Sequence, residues 1–140
     1  MLQPKILYFL FFSFLPFMIA AQNTLTIVAE NVQSSDGLIA VGVYIDAASF
    51  LKEGKEYTGV FAKAEKGTTR IELPNLPNGI YAVSIFHDEN GNKAMDTNFF
   101  GIPKEPLGFS IGKLKTFGPP SFEECSFEMT SDFEIKIPLK

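Results

Sequence analysis

Apolar and polar side chains alternate through most of the chain beyond residue 22. The clearest alternation occurs at positions 24–30, 69–73 and 133–139. Because successive side chains of a β-strand point to opposite faces, this period of two predicts strands with one buried face. A further run at 80–87 is apolar at both odd and even positions, which predicts a strand buried on both faces in the centre of a sheet.

Short turn sequences separate these strands. Residues 34–37 form a connection that predicts a hairpin between the strand at 24–30 and the next one at 38–45. Pro74 is expected to end the strand before it, because proline has no N–H to donate to a neighbouring strand. The residues that follow, 75–79, are rich in Asn, Pro and Gly and predict a turn.

The remaining segments complete an all-β pattern. Positions 57–63 favour an edge strand, and 101–120 a long packed loop interrupted by Gly and Pro. Two closing strands, at 125–129 and 133–139, are joined by a turn at 130–132. With about seven strands and no extended helical pattern, the sequence predicts a single antiparallel two-sheet sandwich, either immunoglobulin-like or transthyretin-like.

Residues 1–21 have the layout of a secretory signal peptide. Lys5 precedes an apolar run that ends in the small pair Ala20 and Ala21, and Pro16 interrupts the run. At about 15 residues the run is shorter than the roughly 20 that a membrane-spanning helix needs. The sequence therefore predicts cleavage, no membrane span afterwards, a mature β-sandwich domain at 22–140, and export to the periplasm or the extracellular space.

The charge of the chain argues against nucleic-acid binding, and its cysteine content excludes an internal disulfide. The chain has 16 acidic and 12 basic side chains and no basic cluster, so it lacks the positive surface that nucleic acids require. Cys125 is the one cysteine, so an exported protein of this kind cannot form an internal disulfide. A buried thiol is the expected role of Cys125.

The stretch that follows the predicted central strand is rich in oxygen-bearing side chains. Counted from Asp88 as position 1, it places side-chain oxygens at positions 1, 3, 5 and 9 and a main-chain carbonyl at position 7, as a calcium loop requires. Calcium prefers such hard oxygen ligands, about 6–8 of them. The candidate ligands are Asp88, Asn90, Asn92, Ala94, Asp96 and, from further along the loop, Glu105.

Two positions depart from the calcium-loop pattern. Lys93 occupies position 6, where glycine usually allows a sharp turn, and Phe99 occupies position 12, where a bidentate glutamate belongs. Glu105 could fold back to replace the missing carboxylate. A site of this kind would be weak, with a dissociation constant of roughly 10⁻⁴–10⁻³ M. The alternative is a solvated turn in which the same Asp and Asn side chains bond to the backbone.

His87, at the end of the predicted central strand, is the only histidine. It cannot form the multi-imidazole set expected of zinc or copper, so a structural hydrogen bond to the loop is its expected role. The alternative is an envelope enzyme that uses His87 with Asp88 or Glu105. An enzyme requires His87 to be open to solvent in a concave pocket, whereas a binding module predicts His87 tied to loop backbone.

Four spaced motifs stand out along the second half of the chain: His87 to Asp96, Gly101 to Glu105, Gly108 to Ser110 and Gly118 to Phe122. Together they resemble a family of small secreted bacterial proteins catalogued as a domain of unknown function. More loosely, residues 76–81 look like a turn of transthyretin-like and collagen-adhesin repeat domains, and the loop resembles the calcium loops of related adhesin repeats. The family resemblance implies a sandwich and export, and the looser similarity favours a binding or structural module. We therefore expect a non-enzymatic module, binding or structural, whose loop at 88–105 presents a surface to an unidentified protein or polysaccharide at the cell envelope.

Overall fold

The computed structural model describes residues 22–140. The predicted signal peptide, residues 1–21, lies outside the described residues. Eight strands and one short helix follow in chain order: β1 (Gln22–Val32), β2 (Leu38–Tyr44), β3 (Thr58–Lys63), β4 (Gly67–Pro77), β5 (Gly79–Asp88), β6 (Leu107–Phe109), α1 (Phe122–Cys125), β7 (Phe127–Met129) and β8 (Phe133–Pro138).

The strands form two sheets packed face to face. One sheet has the order β4-β1-β8, and the other the order β3-β2-β5-β6 with β7 also paired to β5. All pairings are antiparallel except that of β1 with β8, which is parallel. The predicted all-β two-sheet sandwich is therefore confirmed, with eight strands in place of about seven.

The core fills the space between the two sheets with the apolar faces of the alternating strands. Each fully buried Leu, Ile, Val or Met side chain stabilises the fold by about 1.5–3 kcal/mol relative to exposure. β5 lies in the centre of its sheet, as its sequence predicts. The largest apolar side chains of this core, all fully buried, are Leu25, Ile27, Ile39, Val43, Val83, Ile85, Met129 and Ile137.

The predicted hairpin of the first two strands is wrong. β1 pairs with β4 and β8, whereas β2 pairs with β3 and β5, so the connection at 33–37 crosses from one sheet to the other. Alternation reports which face of a strand is buried but not which strand lies beside it. Gly37 makes the crossing possible, because its φ is +67° and a Cβ there would stand 1.9 Å from the carbonyl oxygen of Asp88.

Pro74 does not end its strand, and most of the predicted turn at 75–79 is strand instead. β4 continues to Pro77, and only Asn78 separates it from β5. Proline is tolerated because β4 is an edge strand and because its register against β1 shifts between Leu73 and Leu76. Asn75 at this shift has a φ of 65°, which is typical of a bulge.

The other segments show both agreement and difference. The predicted edge strand at 57–63 is β3, whereas the long loop contains a short strand, β6. Cys125 is buried, but it ends α1 and does not belong to a strand. The turn at 130–132 joins strands of different sheets, since β7 pairs with β5 and β8 with β1.

Over the described residues, α1 is the only helix and no helix is long and apolar enough to span a membrane.

The C-terminal residues join the two sheets on one side of the sandwich. The N–H groups of Leu107 and Lys140 each donate to the carbonyl oxygen of the other, both at 3.1 Å. The N–H of Leu139 donates to the carbonyl oxygen of Glu30 at 2.9 Å. The strand β6 is thereby tied to the C-terminal residues, which are themselves tied to β1, and this fixes the point at which the loop from β5 returns.

Candidate functional site

The loop between β5 and β6, residues 88–106, carries the predicted site and is called here the acidic loop. It leaves the sheet at Asp88, which is paired with Leu38 of β2, and returns at Leu107, which is paired with Phe86. Both ends of the loop are therefore anchored on the same central strand.

Asp88 is fully buried and organises the first turn of the acidic loop. Its Oδ1 accepts a hydrogen bond from the N–H of Asn92 at 3.1 Å, and its Oδ2 accepts one from the N–H of Lys93 at 2.8 Å. Hydrogen bonds to a charged acceptor are stronger than neutral ones, at about 1.5–3 kcal/mol each. One buried carboxylate thus fixes two consecutive backbone donors.

Lys93 takes the backbone conformation that glycine supplies in calcium loops. Its φ is 62°, in the left-handed region, which costs a side chain about 1–2 kcal/mol. The Lys93 ammonium lies 5.7 Å from the ring centroid of Phe61 on β3, within the range of a cation–π contact. The sharp turn therefore forms despite the lysine, and the positive charge is held against a neighbouring strand.

The side chains of Asn90, Asn92 and Asp96 converge inside the loop. Asn90 Oδ1 accepts from the N–H of Asn92, and Asn92 Oδ1 accepts from the N–H of Ala94. The Nδ2 groups of Asn90 and Asn92 donate to the two carboxylate oxygens of Asp96 at 2.6 and 3.1 Å. The predicted side-chain to backbone hydrogen bonds are thus present, together with a side-chain cluster around Asp96.

Glu105 folds back onto this cluster. The N–H of Asp96 donates to Glu105 Oε2 at 3.1 Å, and the N–H of Lys104 donates to the Asp96 carbonyl oxygen at 2.8 Å. The residue is 8% exposed, and its Oε1 has no hydrogen-bond partner among the described residues. Burial raises the pKa of the Glu105 carboxyl, and the carboxylates of Asp96 and Asp88 raise it further, whereas the backbone N–H groups of Asp96 and Glu89 lower it.

A shallow pocket of about 410 Å³ opens beside Glu105 and Asp96. No set of three or more His, Cys, Asp and Glu side chains within residues 22–140 is grouped to hold a metal ion. An ion here would need amide and main-chain oxygens besides carboxylates, and the predicted metal site stays a prediction. The pocket is lined by Glu89, Asn90, Asp96, Thr97, Lys104 and Glu105.

His87 is fully buried and does not line this pocket. Its Nε2 is 2.8 Å from the carbonyl oxygen of Asp36, which can only accept, so Nε2 carries the hydrogen. Its main-chain N–H donates to the carbonyl oxygen of Pro106 at 2.8 Å. The ring Nδ1 has no hydrogen-bond partner in the described part of the chain. His87 thus ties the connection at 33–37 to the acidic loop.

The outer end of the acidic loop has a feature that sequence reasoning missed. Phe99 and Phe100 are 96% and 81% exposed and contact each other edge to face, with ring centroids 5.5 Å apart. Ile102 beside them is exposed as well. These three residues form the aromatic tip. Two adjacent phenylalanines between Asn98 and the turn residue Gly101 were the available sequence signal.

Hydrogen bonds hold the aromatic tip in a tight hairpin. The N–H groups of Phe100 and Ile102 both donate to Asn98 Oδ1, at 2.9 and 3.0 Å. The N–H of Asn98 donates to the carbonyl oxygen of Ile102 at 2.9 Å, and Thr97 forms a bridge with Pro103. The tip is therefore fixed to the same backbone that carries Asp96 and Glu105.

Comparisons with known proteins give one result. No curated protein and no solved structure matched the chain. A family described as "Uncharacterized protein conserved in bacteria", DUF2141, matches residues 27–136 and so covers nearly the whole sandwich. This match confirms the family resemblance of the spaced motifs, and the chain belongs to the DUF2141 family.

Proposed function

We propose that the protein is an exported, non-enzymatic β-sandwich module that binds a partner at the bacterial cell envelope through the aromatic tip. The observation that carries this proposal is the near-complete exposure of Phe99 and Phe100 on a hydrogen-bonded hairpin. Isolated exposed apolar side chains are common, but adjacent large ones are typical of interaction sites. Aromatic side chains are also among the residues that dominate binding energies.

The hairpin gives these rings a fixed position before binding. Asn98 holds the backbone of Phe100 and Ile102, and Asp96 and Glu105 close the loop beneath them. A surface that is ordered in advance loses less conformational entropy when a partner binds. The acidic loop therefore supports a binding role without requiring a bound ion.

Two partner classes fit an exposed aromatic pair. Phenyl rings can pack on the apolar face of a sugar ring in an envelope polysaccharide, or fill an apolar depression of an envelope protein. Nucleic acid fits poorly, because the chain has no basic cluster and a net charge of −4.

The arrangement of His87 supports a binding module over the alternative enzyme. Catalysis by His87 with Asp88 or Glu105 requires an imidazole that reaches substrate. His87 is fully buried with Nε2 bonded to the Asp36 carbonyl, and Asp88 is fully buried with both oxygens bonded to backbone. Glu105 does border a pocket, but His87 does not line it.

Co-sedimentation with envelope material tests the proposal. Protein is purified from the exported fraction, where its N-terminus should lie near residue 22. It is then mixed with protease-treated cell-wall polysaccharide and, separately, with immobilised envelope proteins. We expect binding to one of the two materials, and the double variant Phe99→Ser/Phe100→Ser should weaken it by about tenfold or more.

Phe117→Ser provides the matched control, because Phe117 is 88% exposed but belongs to a different loop. This variant should bind as wild type does. Failure of the wild-type protein to bind either material, or equal binding by the double variant, contradicts the proposed function. Recovery only from the cytosol with residues 1–21 intact contradicts export.

A further inference from the structure

We propose that the edge strand β3 pairs with β3 of a second copy of this chain, so that two five-stranded sheets join across a two-fold axis. The pairing goes beyond the partner surface proposed above and does not depend on it. It uses the free edge of a sheet, whereas the partner surface lies at the outer end of the acidic loop.

The main chain of β3 has one unpaired side. β3 pairs with β2 and with no other strand among the described residues. The N–H of Ala64, just beyond β3, donates to the carbonyl oxygen of Gly37, just before β2, at 3.3 Å. Because main-chain groups alternate in direction along an antiparallel strand, the N–H and C=O groups of Gly59, Phe61 and Lys63 face away from β2. This row of free donors and acceptors is a template for another strand.

The other sheet edges are interrupted, whereas β3 is regular. β4 contains Pro74, the left-handed Asn75 and two register shifts. β8 carries Glu134 and Lys136 and ends in Pro138, and β6 has only three residues. Prolines, bulges and charges are the features that keep edge strands from pairing. β3 has no proline, and its register against β2 runs without a shift.

A second copy of β3 fits this edge in an antiparallel register centred on Phe61. Phe61 then lies opposite Phe61 of the second copy, and Gly59 lies opposite Lys63, so the free main-chain groups of all three residues are paired. Val60 and Ala62, which are half-buried on the core side, lie opposite each other and shield one another from solvent. Aromatic and apolar pairs of this kind stabilise neighbouring strands.

The charges around β3 are compatible with this register. Lys63 is the only charged side chain of β3, and each Lys63 lies across from a glycine, at opposite ends of the paired segment. The residues before β3, at 55–56, and those after it, at 65–66, each contain one acidic and one basic side chain. Antiparallel pairing brings these two flanks near each other, so like charges are not forced together. A register centred on Lys63 would instead oppose two lysines, which is unfavourable.

The same pairing places the two acidic loops on one side of the dimer. The Lys93 ammonium lies 5.7 Å from the ring centroid of Phe61, so each acidic loop reaches over β3. Phe61 is exposed on the face of the sheet that points away from the core. A two-fold axis perpendicular to the joined sheet keeps both loops on that face. The dimer therefore presents two aromatic tips, which strengthens binding to a partner that offers repeated sites.

Analytical ultracentrifugation of the purified protein, from about 1 µM to about 500 µM, tests the pairing. We expect the average mass to rise from that of one chain towards that of two. The dissociation constant should be on the order of 10⁻⁵–10⁻⁴ M, because one strand pair makes a small interface. Amide hydrogen exchange locates the contact: the N–H groups of Gly59, Phe61 and Lys63 should exchange severalfold more slowly at the high concentration.

Phe61→Lys places two ammonium groups opposite each other at the axis and should weaken the dimer by about tenfold or more. Ile80→Lys is the matched control, because Ile80 is 56% exposed, compared with 44% for Phe61, but lies on the interior strand β5. Its mass should follow that of the wild type. Circular dichroism checks both folds. Phe61→Pro, which removes an outward N–H and is tolerated at an edge, serves if Phe61→Lys fails to fold.

A single-chain mass at every concentration would overturn the inference, and so would a dimer that forms equally well in Phe61→Lys. The variant Phe99→Ser/Phe100→Ser should dimerise as the wild type does. Loss of its dimer would mean that the aromatic tips join the copies, which also contradicts pairing through β3. Monomeric Phe61→Lys should still bind envelope material in the co-sedimentation experiment, although more weakly, so failure of the dimer leaves the proposed function intact.

Discussion

The two loops that flank β6 are ordered by different kinds of interaction. The acidic loop closes around buried groups, with Asp88 and Glu105 accepting backbone N–H groups from inside. The following loop, residues 110–121, contains Lys113 and Lys115 and is called here the basic loop. Its Lys115 forms a surface ion pair with Glu124 at 3.0 Å. Buried charged acceptors order a loop far more strongly than an exposed ion pair does.

The largest loss of stability should come from replacing Gly37, which packs against the backbone at the start of the acidic loop. In Gly37→Ala, the new Cβ would stand 1.9 Å from the Asp88 carbonyl oxygen at a φ of +67°. Left-handed strain and overpacking together should destabilise the protein by about 3–4 kcal/mol. Urea unfolding measures this change.

Gly112→Ala in the basic loop is the matched comparison for Gly37→Ala. Gly112 has a φ of +75°, but no atom lies within 4 Å of a Cβ built there. Only the backbone strain of about 1 kcal/mol should remain. Equal losses in the two variants would contradict the close packing of the acidic loop against the 33–37 connection.

The second-largest loss of stability is expected from Asp88→Ala. The substitution leaves the N–H of Lys93 without an acceptor and the N–H of Asn92 with only Asn90 Oδ1. It should cost about 2–3 kcal/mol, measured by urea unfolding. Lys115→Ala, which removes the exposed ion pair of the basic loop, should change stability little. If Lys115→Ala proved as damaging as Asp88→Ala, the contrast between the two loops would be wrong.

The smallest effect concerns Lys93. Lys93→Gly relieves a left-handed backbone but loses the Phe61 contact and adds flexibility to the unfolded chain, so a net stabilisation of about 0.5 kcal/mol is expected. Lys113→Gly in the basic loop should destabilise or be neutral, because the backbone there has no positive φ to relieve. Chemical denaturation of both variants side by side measures the difference in stability. A loss of stability in Lys93→Gly would contradict the conclusion that the left-handed backbone at Lys93 is strained.

Alternation predicted most strands correctly because most strands bury one face in the core between the two sheets. β5, apolar on both faces, was predicted to be central and lies between β2 and β6. Strand partners could not be predicted in the same way. β1 and β2 have equally suitable apolar faces, and only the whole arrangement of eight strands places them in different sheets.

Some of the missed structure had a local signal. Ser121 and Glu124 form a capping box that starts α1, with Ser121 N–H donating to Glu124 at 2.7 Å. This Ser-x-x-Glu pattern is visible in the sequence and predicts a helix start. Pro74, by contrast, was misinterpreted because its tolerance depends on β4 being an edge strand, which is a tertiary property.

The candidate site was predictable where its contacts are local. The spacing of Asp88, Asn90, Asn92 and Asp96 indicated a closed turn, and the hydrogen bonds among them span six residues or fewer. The burial of Glu105 and the bond from His87 to Asp36 were not predictable in this way. The second joins groups 51 positions apart and exists only because two sheets bring their connections together.

The parallel pairing of β1 with β8 has a consequence for how the chain folds. Beside this pairing, the N–H of Thr24 on β1 donates to the side chain of Asp132, the residue before β8, and the bond joins groups 108 positions apart. Closing so long a segment is entropically costly, and folds rich in such contacts form slowly. The sheet β4-β1-β8 therefore cannot be completed until β8, the last of the described strands in chain order, has been synthesised.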